Sequence, residues 1–327
     1  MADGKNWNVL VTRRIPEEGL ELLSRECALT VNPHDRPMTR AEFLSAAAGK
    51  DGVLCLLTDK IDAELFDAAP GVKGYANYAV GYDNMDVAEA TRRRIPLSNT
   101  PGVLTDATAD MAWALLFSVA RRVVESDAAM RSGAWQGWGP MQFIGGDITG
   151  RTLGVVGAGR IGAAMASRAS GFRMRLLYTD ARRNEAFERE TGAEFFTFDQ
   201  LLAQSDFVSV HVPLLPETRR LFGREAFLKM KRTAYLINTS RGPVIDEAAL
   251  VEALKEGVIA GAGLDVYERE PVMVEGLAAL GNVVLTPHTA SATVESRKGM
   301  AIKAATNLLT MLRGRPAPDC INPGASG

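Results

Sequence analysis

Between Val9 and about Ser98, short apolar runs alternate with stretches of helical periodicity. Val9-Leu10-Val11, 52–57 and 73–75 read as strands, whereas 17–27 and 62–69 space their apolar residues as helices do. That alternation predicts an α/β domain with a parallel sheet and crossover helices. Asn99-Thr100-Pro101-Gly102 interrupts the pattern and reads as a hinge or linker. One long helix is predicted over 105–131, apolar on nearly every face between Met111 and Val124, so it must be buried widely. Burial against a second copy of the chain would cover those faces, which predicts a homodimer built on this segment; burial inside one chain would also cover them. The glycine-rich loop 134–141, with Trp135 and Trp138, could reach such a partner or cover a cleft.

The strand rhythm resumes with Leu153-Gly154-Val155-Val156, followed directly by Gly157, Gly159 and Gly162 in the G-x-G-x-x-G spacing. In that context Gly157 allows a tight turn, Gly159 lets backbone amides approach a pyrophosphate, and Gly162 lets the next helix lie close to the sheet. The phosphates belong at the positive end of that helix. Asp180 comes 18 residues after Gly162 and ends the next strand, where a carboxylate accepts from a ribose 2′-hydroxyl. The unit therefore predicts a dinucleotide cofactor, NAD by the presence of Asp180, with NADP left open by Arg182 and Arg183. Further strands are read at 207–213, placing His211 inside one, and at 235–240, 260–266 and 283–286, with a helix at 247–256 and a last helix at 293–312.

At 327 residues and 46% hydrophobic, the chain is long enough for two domains with buried cores. Its 37 basic and 39 acidic residues leave a formal net charge of −2, which offers no electrostatic footprint for nucleic acid or a membrane surface. Cys27, Cys55 and Cys320 stand in no metal or redox spacing, so no metal site is expected and a reducing, cytoplasmic setting fits. The first residues, 1–8, are polar and carry no signal-like apolar core, and the apolar stretch 111–120 is too short to span a bilayer. A soluble protein is expected.

Ligands of open parallel sheets gather beyond the carboxyl ends of the strands. Three chemically apt residues fall at such places: Arg241 after Asn238-Thr239-Ser240, Glu270 before Pro271, and His288 after Thr286-Pro287. A guanidinium is a planar fork of donors suited to the carboxylate and carbonyl oxygens of a 2-oxoacid. An imidazole can give a proton to the oxygen of a carbonyl being reduced and take it back in reverse. A neighbouring carboxylate favours its charged form. His34, in a polar turn, and His211, in a strand, compete for that role, and His211 better fits the cofactor site.

The segments Asn77-Tyr78-Ala79-Val80-Gly81-Tyr82-Asp83-Asn84, 99–105, the glycine fingerprint, His211-Val212-Pro213-Leu214, 238–242, 263–271 and Thr286-Pro287-His288 resemble the D-2-hydroxyacid dehydrogenase family, most closely its glyoxylate and hydroxypyruvate reductases. The resemblance covers almost the whole chain. It implies two doubly wound parallel-sheet domains: a Rossmann nucleotide domain at 102–288, with a dimerisation helix and loop at 102–150, inserted into a flavodoxin-like substrate domain at 1–101 and 289–327. It further implies that Arg241 binds substrate, that His288 is the acid/base and that Glu270 is its partner. By the same resemblance the amides near Val80 and Gly81 hold the substrate carboxylate and Leu57 lines the pocket. Arg160 and Ile161 would meet the phosphates, Val212 and Pro213 the adenine side, and Thr239 and Asp265 the nicotinamide, with Thr108 a weaker candidate there and Ser240 and His288 also among the cofactor contacts. A larger or phosphorylated substrate, such as 2-ketogluconate or D-3-phosphoglycerate, is an alternative, and a non-catalytic NADH sensor is another. Relatives often carry Ile-Gly-Ser after the catalytic histidine where this chain has Thr289-Ala290-Ser291.

Overall fold

A computed structural model describes residues 6–325; the polar stretch 1–5 and residues 326–327 lie outside the described residues. The chain forms two compact units, one from Met1–Leu104 with Ala292–Gly327, the other from Thr105–Ser291. These divisions fall three residues beyond those drawn from sequence at both crossings.

The first unit holds five parallel strands, β1 (Trp7–Val11), β2 (Cys27–Val31), β3 (Gly52–Cys55), β4 (Tyr75–Asn77) and β5 (Leu97–Ser98). They lie in the order β2-β1-β3-β4-β5, the flavodoxin-like arrangement, with its switch point between β1 and β3. Val53, Cys55, Tyr75 and Leu97 pack with Phe43, Leu65 and Phe66 from the helices on one face. The helix Val294–Leu312 returns to this unit and packs on helix Glu17–Ser24. Strand β2 lies where the periodicity predicts the end of a helix. That helix stops at Ser24, and the apolar run Cys27-Ala28-Leu29 opens an edge strand in which only Cys27 is fully buried.

The second unit holds β6 (Thr152–Val156), β7 (Arg175–Thr179), β8 (Glu194–Phe195), β9 (Phe207–Val210), β10 (Tyr235–Asn238), β11 (Gly261–Leu264) and β12 (Val283–Leu285). Their order, β12-β11-β10-β9-β6-β7-β8, is that of a doubly wound Rossmann sheet extended by one strand. Successive residues of a strand face opposite sides, so Leu236 joins a core with Leu201, Phe227 and Leu250, and Ile237 joins another with Trp113, Leu116 and Met165. These near-continuous apolar strands are what a sheet covered on both faces requires.

The single helix predicted over 105–131 is two helices, Thr105–Ala120 and Val123–Arg131. The Ala120 carbonyl accepts from the Gly146 amide at 2.8 Å instead of continuing the helical ladder. Arg122 then turns through the left-handed region at φ 52°. The first helix buries its apolar face inside its own unit, whereas the second buries no residue and leaves Val123, Val124 and Met130 exposed. The wide burial expected of the whole stretch thus holds for its first half only. No helix among the described residues is long and apolar enough to cross a membrane.

Candidate active site

The sheet of the second unit reverses its winding between β6 and β9, and the glycine turn leaves β6 at that point. Val156 is registered against Val210, so Gly157 emerges beside His211. Gly157 has φ +103°, and a Cβ there would meet the His211 carbonyl carbon at 2.8 Å. A Cβ on Gly162 would come within 2.1 Å of the Gly157 oxygen, so the helix Arg160–Arg168 can approach only because that position is bare. Nothing lies within 4 Å of a Cβ built on Gly159, which leaves the start of the helix open to a ligand. Asp180 sits at the end of β7 and is anchored to the same turn, accepting from Ala158 N–H at 2.7 Å and from Ala181 N–H at 2.6 Å.

The dinucleotide implied by this turn fits the residues present. The Thr239 hydroxyl, at the carboxyl end of β10, is buried without a partner among the described residues, an unmet donor and acceptor at the edge where the ligand belongs. Arg160 and Ile161 open the helix, Val212 and Pro213 follow β9, and Thr108 is buried on helix Thr105–Ala120. Arg183, a possible holder of a 2′-phosphate, is engaged by Glu188 at 2.8 and 2.9 Å. Glu188 also accepts from the Tyr178 hydroxyl at 2.7 Å.

His211 lies just past the end of β9 rather than inside it, because the strand stops at Val210. Its Nε2 is 2.8 Å from the Ser209 hydroxyl, and desolvation pushes its pKa down to about 4. The ring is neutral at neutral pH, unsuited to giving a proton there. His34 lies exposed in a turn of the first unit, its amide bonded to the Asn32 side chain at 3.1 Å.

Arg241, Glu270 and His288 follow β10, β11 and β12, three adjacent strands. His288 Nδ1 is 2.8 Å from Glu270 Oε2. A carboxylate only accepts, so Nδ1 is the donor and Nε2 is left for exchange with a ligand. Desolvation works to raise the Glu270 pKa, but the hydrogen bond and charge of His288, the Tyr267 N–H and the charge of Arg241 outweigh it and hold the group below its ordinary value. The electrostatics of all three side chains thus meet on one carboxylate.

His288 has φ 54°, a left-handed conformation that a side chain rarely adopts. Asp265 holds it there. His288 N–H donates to the Asp265 carbonyl at 2.9 Å, and the Asp265 carboxylate accepts from the Thr286 hydroxyl at 2.6 Å and from the Thr289 and Ala290 amides at 2.8 Å each. Neighbouring Asn238 folds over the β10 turn, accepting from Ser240 N–H at 2.9 Å and donating to the Arg241 carbonyl at 3.0 Å. Glu247 supports the Glu270 loop by accepting from Glu268 N–H at 2.6 Å. Sequence reasoning missed the supporting roles of Asn238 and Glu247. An Asn directly before Thr-Ser carries an Asx-turn signal, but Glu247 bonds a residue 21 positions away and carries none.

In the first unit Leu57 and Val80 are half-buried at loops that follow β3 and β4, together with Gly81. At its switch point the Thr12 hydroxyl donates to Asp59 Oδ2 at 2.5 Å, and the same oxygen accepts from Leu56 N–H at 2.8 Å. This closes the loop that carries Leu57.

Two Rossmann-like sheets, a dinucleotide turn and a histidine–carboxylate pair beside an arginine define a pyridine-nucleotide dehydrogenase. A sequence model of the NAD-binding domain of D-isomer specific 2-hydroxyacid dehydrogenases matches residues 113–290, and the chain belongs to that family. It is 52% identical over 316 residues, 96% of this chain and 95% of the other, to a glyoxylate reductase of Korarchaeum cryptofilum. Among solved structures it superposes on a glyoxylate reductase from Paecilomyes thermophila with a TM-score of 0.86 at 34% identity, covering 96% of this chain and 98% of that one. It also superposes on an NADPH-dependent glyoxylate/hydroxypyruvate reductase from Sinorhizobium meliloti, in complex with NADP and malonate, with a TM-score of 0.86 at 32% identity, covering 99% and 98%.

Proposed function

We propose that the protein reduces a small 2-oxoacid, glyoxylate or hydroxypyruvate, to the corresponding D-2-hydroxyacid. The observation that carries this reading is the His288–Glu270 contact of 2.8 Å on neighbouring strands with Arg241, at the carboxyl edge of a dinucleotide sheet. When bound, the reduced nicotinamide supplies a hydride. His288 delivers the proton from Nε2 to the carbonyl oxygen, while Glu270 orients the ring through Nδ1. Arg241 holds the substrate's carboxylate and carbonyl oxygens and draws electron density toward the oxygen that will be protonated. The substrate carboxylate is assigned to the amides of Val80 and Gly81, and Leu57 to the pocket wall.

The cofactor is held at Gly157, Gly159, Arg160, Ile161 and Gly162, with Asp180 at the ribose. Val212 and Pro213 take the adenine side, and Thr239, Ser240 and Asp265 the nicotinamide side. The engagement of Arg183 by Glu188, together with Asp180, favours NADH over NADPH. Cys27, Cys55 and Cys320, three scattered cysteines in no metal or redox spacing, support a cytoplasmic setting. Exposed Val123, Val124, Met130, Trp138 and Met141 support a homodimer through helix Val123–Arg131 and the loop after it.

A steady-state screen pairing NADH and NADPH with glyoxylate, hydroxypyruvate, pyruvate and larger 2-oxoacids tests the reading. Oxidation of NADH with glyoxylate and hydroxypyruvate is expected; indifference to every 2-oxoacid would refute it.

A further inference from the structure

Asn99 and Thr100 lie in the segment that reads from sequence as a hinge or linker, yet both reach back to the loop that follows β4. Thr100 N–H donates to the Ala79 carbonyl at 2.9 Å. Asn99 Nδ2 donates to the Val80 carbonyl at 2.7 Å. A trans peptide is planar, with its N–H pointing away from its C=O, so a bond that fixes a carbonyl also fixes where the next residue's amide points. The Ala79 carbonyl shares a plane with the Val80 amide, and the Val80 carbonyl with the Gly81 amide. Two successive N–H groups are therefore turned to the side opposite the Asn99-Thr100 dipeptide. Neither donates to protein among the described residues.

Further hydrogen bonds back this contact. Asn307, 1% exposed on helix Val294–Leu312, donates from Nδ2 to the Asn99 carbonyl at 3.0 Å. Asn99 N–H donates to the Asp319 carbonyl at 3.3 Å. On the other side, fully buried Asn77 donates to the Gly81 carbonyl at 2.9 Å and to Asn84 Oδ1 at 3.1 Å. The loop is thus held at three consecutive carbonyls by three donors. Among these only Asn99 combines a side-chain donor with partial exposure, so it is the one that can be changed without opening the core.

We infer that Asn99 is a positioning residue for substrate: by holding the Val80 carbonyl it aims the Gly81 amide, with the Val80 amide beside it, at the carboxylate of a 2-oxoacid. The inference rests on the proposed reading that this carboxylate binds those amides. It accounts for an amide side chain at this position. A carboxylate of the same shape cannot donate to the Val80 carbonyl and would place a negative charge behind an anion site.

The test uses Asn99→Ala and Asn99→Asp in the full chain. Three quantities are measured: KM and kcat for glyoxylate, the dissociation constant of oxalate in the presence of NADH, and that of NADH alone. Asn99→Ala should raise KM for glyoxylate and the oxalate constant about tenfold, the scale of one lost hydrogen bond, with kcat within about threefold. Asn99→Asp should raise both further, and NADH binding should be unchanged in either variant. Folded variants that bind oxalate and glyoxylate within twofold of wild type would overturn the inference while leaving the reductase reading intact. Equal losses of oxalate and NADH binding, or unfolding of both variants, would show a structural role and overturn it as well. A wild-type protein that neither reduces glyoxylate nor binds oxalate would remove the underlying reading, and the inference with it.

Discussion

At the scale of single residues, the site is built around one carboxylate, Glu270, whose charge is shared between His288 and Arg241. On the proposed reading, in which the guanidinium serves both substrate binding and the developing charge, Arg241→Ala should lower kcat/KM for glyoxylate by about a hundredfold or more. An unchanged kcat/KM would reject its assignment. The pH dependence follows from the sign of the Glu270 shift. Its folded pKa is lowered from 4.5, so its contribution to stability is complete above the unfolded value and is lost as pH falls through the lowered one. Melting curves of wild type and Glu270→Gln should therefore differ above pH 4.5 and converge as the pH falls through the lowered value; a difference that persists unchanged in strong acid would contradict the lowering. Arg241, Glu270 and His288 were legible in the sequence because each stands just past an apolar run. Asp265 read only as a cofactor contact, since its hold on the His288 turn depends on bonds to residues more than 20 positions away.

At the scale of elements, the buried strands were the most legible parts, since a strand covered on both faces is a continuous apolar run. The edge strand β8, two exposed residues, left no such run. The break after Ala120 was invisible for a different reason: it is fixed by Gly146, a residue far along the chain. The glycine turn shows the converse, a local motif with a local cause. Gly162→Ala places a methyl group 2.1 Å from the Gly157 oxygen, so either the helix or the turn must move. The variant should lose about 1–3 kcal/mol of stability in denaturant unfolding and bind NADH at least tenfold more weakly. Unaltered stability and binding would mean that the helix does not approach the turn as described.

At the scale of the whole molecule, the exposed apolar residues of helix Val123–Arg131 and the following loop carry the prediction of self-association. Sedimentation equilibrium should give twice the chain mass of 35.2 kDa, and Val124→Asp combined with Met130→Asp should shift it toward the monomer. A wild-type protein that sediments as a monomer at micromolar concentration would reject the dimer. The proposed reaction depends on the His288 imidazole passing the proton in a nicotinamide-dependent reduction. The most direct measurement is turnover of glyoxylate by His288→Ala alongside its affinity for NADH. A loss in kcat of about 10²–10⁴-fold with NADH affinity within twofold of wild type is the predicted result. Near-normal turnover in that variant would contradict the assignment of the site.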